Sequence, residues 1–136
     1  MTKYTVPISP VPQSRPRFNS RQKRAYEKPE MTAYKKSVRY HVMADRPKII
    51  EKGAVMLDVC FYIQPPQYIG KVKKNAEALR EETMYCEKKP DIDNYFKAVT
   101  DAVNGVLYKD DGQIAVMICR KVYSFNPRTE IIIDPL

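Results

Sequence analysis

Histidine and cysteine are scarce in this chain of 136 residues, which holds one histidine and three cysteines. A Ser/His/Asp triad or a histidine–metal nuclease motif would have to be built on His41 alone, and a paired-histidine zinc site cannot be built at all. Cys60, Cys86 and Cys119 lie far apart with no Cys-x-x-Cys pair, which argues against a zinc ribbon or a dithiol redox motif. An odd number of scattered thiols suits a reducing compartment and the role of small core side chains. Long apolar runs are missing too. They extend to only a few residues, as at Ile131–Ile133, so no segment is expected to span a bilayer. The opening Met1-Thr2-Lys3-Tyr4 has no signal-peptide core, there is no internal repeat, and a cytoplasmic protein is expected. Any catalysis must then rest on carboxylates and lysines.

What is present is charge, unevenly spread. Lys and Arg number 24 against 16 Asp and Glu, a net +8. Residues 1–50 carry 12 basic and 3 acidic side chains (+9), residues 51–90 carry 7 and 6 (+1), and residues 91–136 carry 5 and 7 (−2). The positive surplus therefore belongs to the first third, which points to a polyanionic partner. With 43% hydrophobic and 29% charged residues, the length fits one domain with a single core, too short for separate cofactor and substrate domains.

The stretch 9–29 contains Pro10, Pro12, Pro16 and Pro29 among Arg15, Arg17, Arg21, Lys23, Arg24 and Lys28. Prolines at this density prevent a regular helix or a central strand, so a basic loop is expected. Phe18 and Tyr26 among the arginines add stacking surfaces for unpaired bases, and Arg15 and Arg17 flank a stiff Pro16. From Glu30 to Met43, apolar residues at Met31, Tyr34, Val38 and Val42 predict a helix, with Lys35, Lys36 and Arg39 on another face. Ala54 to Ile63 alternates as a strand, with both faces expected to be at least partly covered, until Pro65-Pro66 ends it. Gly70 to Glu82 reads as a short polar helix, with Val72, Ala76 and Leu79 on its apolar side. A further helix carries the stripe Ile92, Phe96, Val99, Val103 and Val106, and stops at Asn104-Gly105. The strand around Ile114–Cys119 and the last strand, Thr129 to Ile133, read as a hairpin-like pair.

The chemistry lies around that helix. Asp91 and Asp93 stand at its start, Asp93 and Lys97 share one face at i, i+4, and Asp110-Asp111-Gly112 precedes the next strand. Each acid alone has a structural explanation. First-turn carboxylates cap backbone N–H groups, and Asp-Asp-Gly makes an ordinary turn. Together, three converging carboxylates repel one another unless a cation sits among them. Hard oxygen ligands of this kind suit Mg²⁺, with Mn²⁺ a second possibility. Such an ion beside a phosphate supports phosphodiester hydrolysis, with Lys97 one turn on to stabilise negative charge.

Lys89-Pro90-Asp91-Ile92-Asp93-Asn94, Lys97-Ala98, Asp101-Ala102-Val103-Asn104-Gly105 and Asp110-Asp111-Gly112-Gln113-Ile114 closely resemble the RusA family of Holliday junction resolvases. Arg15-Pro16-Arg17-Phe18 resembles the arm of its phage-type members, while residues 45–88 match only in a strand-then-basic-helix layout. The resemblance implies a single α+β domain over 1–136, a small mixed β-sheet packed with helices. It also implies a homodimeric, Mg²⁺-dependent endonuclease, bacterial or phage-encoded, that nicks four-way branched DNA in pairs, with no small-molecule cofactor and no membrane. The family's metal-binding aspartates match Asp91, Asp93 and Asp111, with Asp110 the alternative third ligand, and its functional lysine matches Lys97. Arg15, Arg17, Arg21, Lys23, Arg24, Lys88 and Lys89 are the expected DNA-holding residues. A two-fold dimer suits two symmetric cuts, and Tyr62, Met56 and Ile131–Leu136 are candidate pairing surfaces. Two other readings remain open: a non-catalytic nucleic-acid-binding protein, and a related nuclease acting on flaps or forks.

If the arm holds phosphates, replacing Arg15 and Arg17 together by alanine weakens DNA binding. It also lowers the slope of log K against log salt by about one unit per lost contact. Binding titrations from low to moderate salt measure this, and an unchanged slope would reassign the arm.

Overall fold

The computed structural model describes residues 1–14, 17–21 and 24–136, with the backbone alone for residues 17–19, 24 and 25. The described residues form six strands: β1 (Thr2–Val6), β2 (Arg17–Asn19), β3 (Arg24–Tyr26), β4 (Val55–Ile63), β5 (Ile114–Tyr123) and β6 (Arg128–Pro135). They are joined by helices α1 (Pro29–Ala44), α2 (Gln67–Gly70), α3 (Ala76–Arg80) and α4 (Ile92–Val103). None of these helices is long and apolar enough to cross a membrane.

Alternation in β4 puts Val55, Leu57, Val59 and Phe61 on one face, all fully buried. On the other face Cys60 is buried and Met56, Asp58 and Tyr62 are half-buried, so both faces are covered to the extent expected. The sheet order is β1-β6-β4-β5. β6 runs antiparallel to both β1 and β4, whereas β5 runs parallel to β4, and a mixed sheet results. α1 and α4 cover its apolar face. Met31, Tyr34, Val38 and Val42 of α1 join Tyr95, Ala98, Val99, Ala102 and Val103 of α4 in one core with the β4 residues, Ile131 and Ile133. Each such aliphatic side chain contributes about 1.5–3 kcal/mol by leaving water. The chain is thus a small α+β domain.

Three expectations need correction. β5 and β6 do not form a hairpin, because β4 lies between them. Ser124 N–H donates to the Ile63 carbonyl at 2.9 Å, so the connection 124–127 arches over the end of β4. Four residues suffice to cross the ~10 Å between strands two places apart. The helix read over 70–82 is broken into α2, a 3₁₀ turn at Lys73–Asn75 and α3. Its apolar residues are too sparse for a continuous buried stripe: Leu79 is buried, Val72 half-buried and Ala76 exposed. The proline-rich stretch also holds a separate two-stranded ribbon, Arg17↔Tyr26 to Asn19↔Arg24, set apart from the main sheet. α1 then starts with Pro29 in its first turn, where a missing N–H costs nothing.

Of the surfaces considered for pairing, Ile131 and Ile133 are withdrawn into the core, and Tyr62 lies under the Arg128 guanidinium at 3.7 Å. The exposed apolar run is instead Val116, Met117 and Ile118 of β5. All three cysteines are free thiols, with Cys60 and Cys86 buried and Cys119 half-buried.

Arg128 fastens the crossover to the sheet. Its Nη1 and Nη2 donate to the two Glu82 oxygens at 2.7 and 2.9 Å, and its Nε donates to Glu130 at 3.0 Å. The Arg128 hydrogen bonds outweigh burial and hold the Glu82 carboxyl below its usual range. A carboxylate with a depressed folded pKa stabilises fully above its unfolded pKa of 4.5 and loses that stabilisation as pH falls through the lower folded value. Urea midpoints of the wild type should therefore drop below about pH 4.5, and the drop should be shallower in Glu82→Gln. Arg128→Leu, which strands a half-buried carboxylate, should cost about 3 kcal/mol at pH 7.

Candidate functional site

α4 begins just after a cis Lys89–Pro90 peptide. Asp91 occupies its N-cap position, yet its carboxylate makes no capping hydrogen bond and is exposed, so the capping explanation does not hold for this side chain. Asp93 stands in the first turn, also exposed. With Lys97 and Thr100 it follows the i, i+4, i+7 spacing that puts side chains on one helix face. The opposite face is the one that the core buries.

That face, exposed at Asp93 and Lys97 and buried at Thr100, borders a cavity of about 460 Å³, lined by Asp93, Asn94, Phe96, Lys97 and Thr100 from α4 and by Asp111 and Ile114 across from it. A second cavity of about 510 Å³ has Asp91, Ile92 and Asp93 on one side and Cys119, Arg120 and Lys121 of β5 on the other. Asp93 borders both. The fold therefore brings Asp93, Lys97 and Asp111 to one cavity and sets Asp91 in the adjoining one. Among the described residues, no three Asp, Glu, His or Cys side chains stand close enough together to form a complete metal cluster.

The two aspartates of the turn have different surroundings. Asp110 Oδ2 accepts from Gly112 N–H at 3.1 Å, so this residue caps the turn. Gln113 completes the box. Its Oε1 accepts from the Lys109 and Asp110 N–H groups at 2.8 and 3.0 Å, and its Nε2 donates to the carbonyls of Ile50 and Gly53 at 3.0 and 3.1 Å. Asp111 is free of that duty. Its Oδ1 is buried with no hydrogen-bond donor assigned among the described residues, the neighbouring Tyr108 hydroxyl donating to the Thr100 carbonyl at 2.8 Å. Burial first, and then the Asp111 charge, push the Tyr108 hydroxyl well above the usual tyrosine range. A buried acceptor left unsatisfied costs about 1–3 kcal/mol. An oxygen-only donor set with one uncommitted buried carboxylate oxygen fits a hard divalent cation.

Lys97 does not pair with Asp93. Its Nζ donates to Asp101 Oδ1 at 2.7 Å, one turn towards the C-terminus. That hydrogen bond, against a smaller effect of burial and with the Asp111 charge adding, holds the ammonium pKa above the ordinary lysine value. Lys97 is therefore a cation at neutral pH, with 60% of its side chain exposed. A fixed positive charge in a cavity with carboxylates can contact an anionic oxygen brought there.

Lys88 and Lys89 are exposed just before α4, and Arg21 is exposed at the tip between β2 and β3. Arg17 and Arg24 lie on β2 and β3, but their side chains, like Arg15 and Lys23 altogether, fall outside the described residues. Two side chains that matter here escaped the sequence reading. Lys121 donates to the carbonyls of Lys88 and Pro90 at 2.7 and 2.9 Å and so ties the approach to α4 onto β5. Its signal was parity, since it shares a β5 face with Met117 and Cys119, where a charge is out of place. Asp101 was noticed only as part of a motif, although it lies four residues after Lys97.

The family model for endodeoxyribonuclease RusA matches residues 7–134. The protein YqaN of Bacillus subtilis (strain 168), whose name calls it uncharacterized, is 37% identical over 133 residues, which span 96% of this chain and 94% of that protein.

The Asp110–Asp111 turn depends on Gln113, whose four bonds no shorter or apolar side chain reproduces. Gln113→Leu should cost about 2 kcal/mol in urea unfolding. A change well below that would mean that the turn is held by its neighbours instead.

Proposed function

This chain belongs to the RusA endodeoxyribonuclease family, and we propose that it is a divalent-metal-dependent endonuclease that resolves four-way DNA junctions by paired, symmetric nicks. The observation that carries this reading is the cavity shared by Asp93, Lys97 and Asp111, with a buried Asp111 oxygen that has no assigned donor among the described residues. Asp91, Asp93 and Asp111 would hold Mg²⁺ or Mn²⁺. When bound, such an ion supplies Lewis acidity and a water of lowered pKa for attack on a phosphodiester. Lys97 contributes a charge that faces the phosphate in the same cavity. The exposed Lys88 and Lys89 and the basic arm, with Arg15, Arg17, Arg21, Lys23 and Arg24, hold the DNA backbone. Two cuts on symmetry-related strands call for a homodimer, and the protein acts in the cytoplasm of a bacterial cell.

Between the two turn acids, Asp111 is the ligand and Asp110 the cap. On labelled four-way DNA with Mg²⁺, Asp93→Asn and Asp111→Asn should each lose cleavage by about 100-fold or more while still shifting the junction. Asp110→Asn keeps a capping acceptor and should cleave within a few-fold of the wild type. Undiminished cleavage by Asp93→Asn would sink the metal assignment. A shifted junction that the wild type never nicks would support the non-catalytic binder, and preferential cutting of flaps or forks in a parallel panel would redirect the substrate.

A further inference from the structure

The carboxylate that holds Lys97 has a second partner. Asp101 Oδ2 accepts from Lys35 Nζ of α1 at 3.3 Å, while its Oδ1 accepts from Lys97 at 2.7 Å. Each oxygen is thus committed to a different lysine. Lys35 in turn ion-pairs with Glu27, the residue that follows β3 at the base of the basic arm. Glu27 also accepts from Thr32 Oγ1 at 3.1 Å and from Gln13 Nε2 at 3.2 Å. Gln13 marks the other base of the arm, and its own N–H donates to the Asn94 carbonyl of α4 at 2.8 Å.

The Lys35 side of the network is sheltered, and its Lys97 end is open. Lys35 keeps only 17% of its side-chain surface exposed, Asp101 24% and Glu27 30%, against 60% for Lys97. Both ends of the segment 14–26 are therefore fastened to α4, the helix that presents Asp93 and Lys97. One end is held through a backbone bond beside Asp93, the other through the chain Glu27, Lys35, Asp101.

We propose that Asp101 is a positioning residue. By bridging Lys35 and Lys97 it couples the docking of the basic arm to the placement of Lys97 in the cavity. This rests on the proposed role of Lys97 at the phosphate. In Asp101→Asn one oxygen becomes an NH₂ donor facing an ammonium group, so one of the two lysines must let go. A lysine released from its tether samples rotamers that miss the cavity, and misplacement of a reacting neighbour slows chemistry more than binding.

The test uses the full-length protein, with thermal unfolding as a check on each variant. Asp101→Asn should lower the single-turnover cleavage rate at saturating four-way junction by about ten-fold, with the junction Kd, measured in EDTA, changed less than about three-fold. Asp101→Glu, which restores both acceptors, should recover most of that rate. Lys35→Met, which cuts the link on the arm side, should speed amide hydrogen exchange at the described arm bases, residues 13–14 and 26–28, by about five-fold while α4 stays protected. Equal rates for Asp101→Asn and wild type would overturn the positioning of Lys97. Unchanged exchange in Lys35→Met would overturn the coupling to the arm, even if Asp101→Asn fails to fold. Full cleavage by Lys97→Met would instead remove the proposed role of Lys97, a failure kept distinct because the exchange measurement does not depend on cleavage.

Discussion

The parallel pairing of β4 with β5 is the constraint on which the rest of this structure depends. Two parallel strands cannot be joined by a tight turn, so the chain must travel from the end of β4 back to the start of β5 across a face of the sheet. That return occupies residues 64–113 and carries Asp91, Asp93, Lys97, Asp101, Asp110 and Asp111. The acids of the candidate site and its Lys97 are therefore all carried on the crossover. Its precision comes from α4, whose inner face, with Tyr95, Ala98, Val99, Ala102 and Val103, is locked into the core. Because the helix cannot rotate without exposing those side chains, its outer face holds Asp93 and Lys97 at fixed azimuths.

Charge is used in two ways. At the far end of the sheet, Arg128 has carboxylates on both sides, and each depressed acid there contributes to holding the crossover down. Around α4 the charges are instead left partly open. Asp91 makes no cap and, within the described residues, Asp93 makes no ion pair and Asp111 buries an oxygen with no assigned donor. Asp110 and Gln113 make this arrangement tolerable, since they satisfy the turn's backbone and leave Asp111 uncommitted. A fold that maximised its own stability would have paired these acids. Leaving them open keeps their oxygens available to the divalent cation that the proposed function calls for.

Local pattern made β4, α1 and α4 legible, because one face of each is buried and the period of the apolar residues reports that face. It also exposed the acidic turn. What it could not report is which strands become neighbours. The alternation in β5 and β6 is the same whether they pair with each other or each flanks β4, and only the Ser124–Ile63 bond reveals the arch. Nor could spacing tell that Asp110 caps the turn, which is pinned by Gln113's reach to Ile50 and Gly53, some sixty residues away in sequence. Asp101 illustrates the same limit. Its pairing with Lys97 is a helix rule, but its pairing with Lys35 exists only once α1 packs beside α4.

The uneven charge of the chain acquires a structural meaning from that packing. The +9 of residues 1–50 and the −2 of residues 91–136 would act independently if the basic arm hung from α1 alone. It does not. Gln13 bonds to α4 beside Asp93, and Glu27 reaches α4 through Lys35 and Asp101. An acidic residue at the foot of a basic arm would weaken its attraction for a polyanion if it faced solvent. Held inward by Lys35, with its carboxyl pKa lowered chiefly by that hydrogen bond, Glu27 instead becomes the anchor that lets the outward charges stay positive. The described bases of the arm and the carboxylate cavity are thus joined through α4, the helix that carries Asp93 and Lys97.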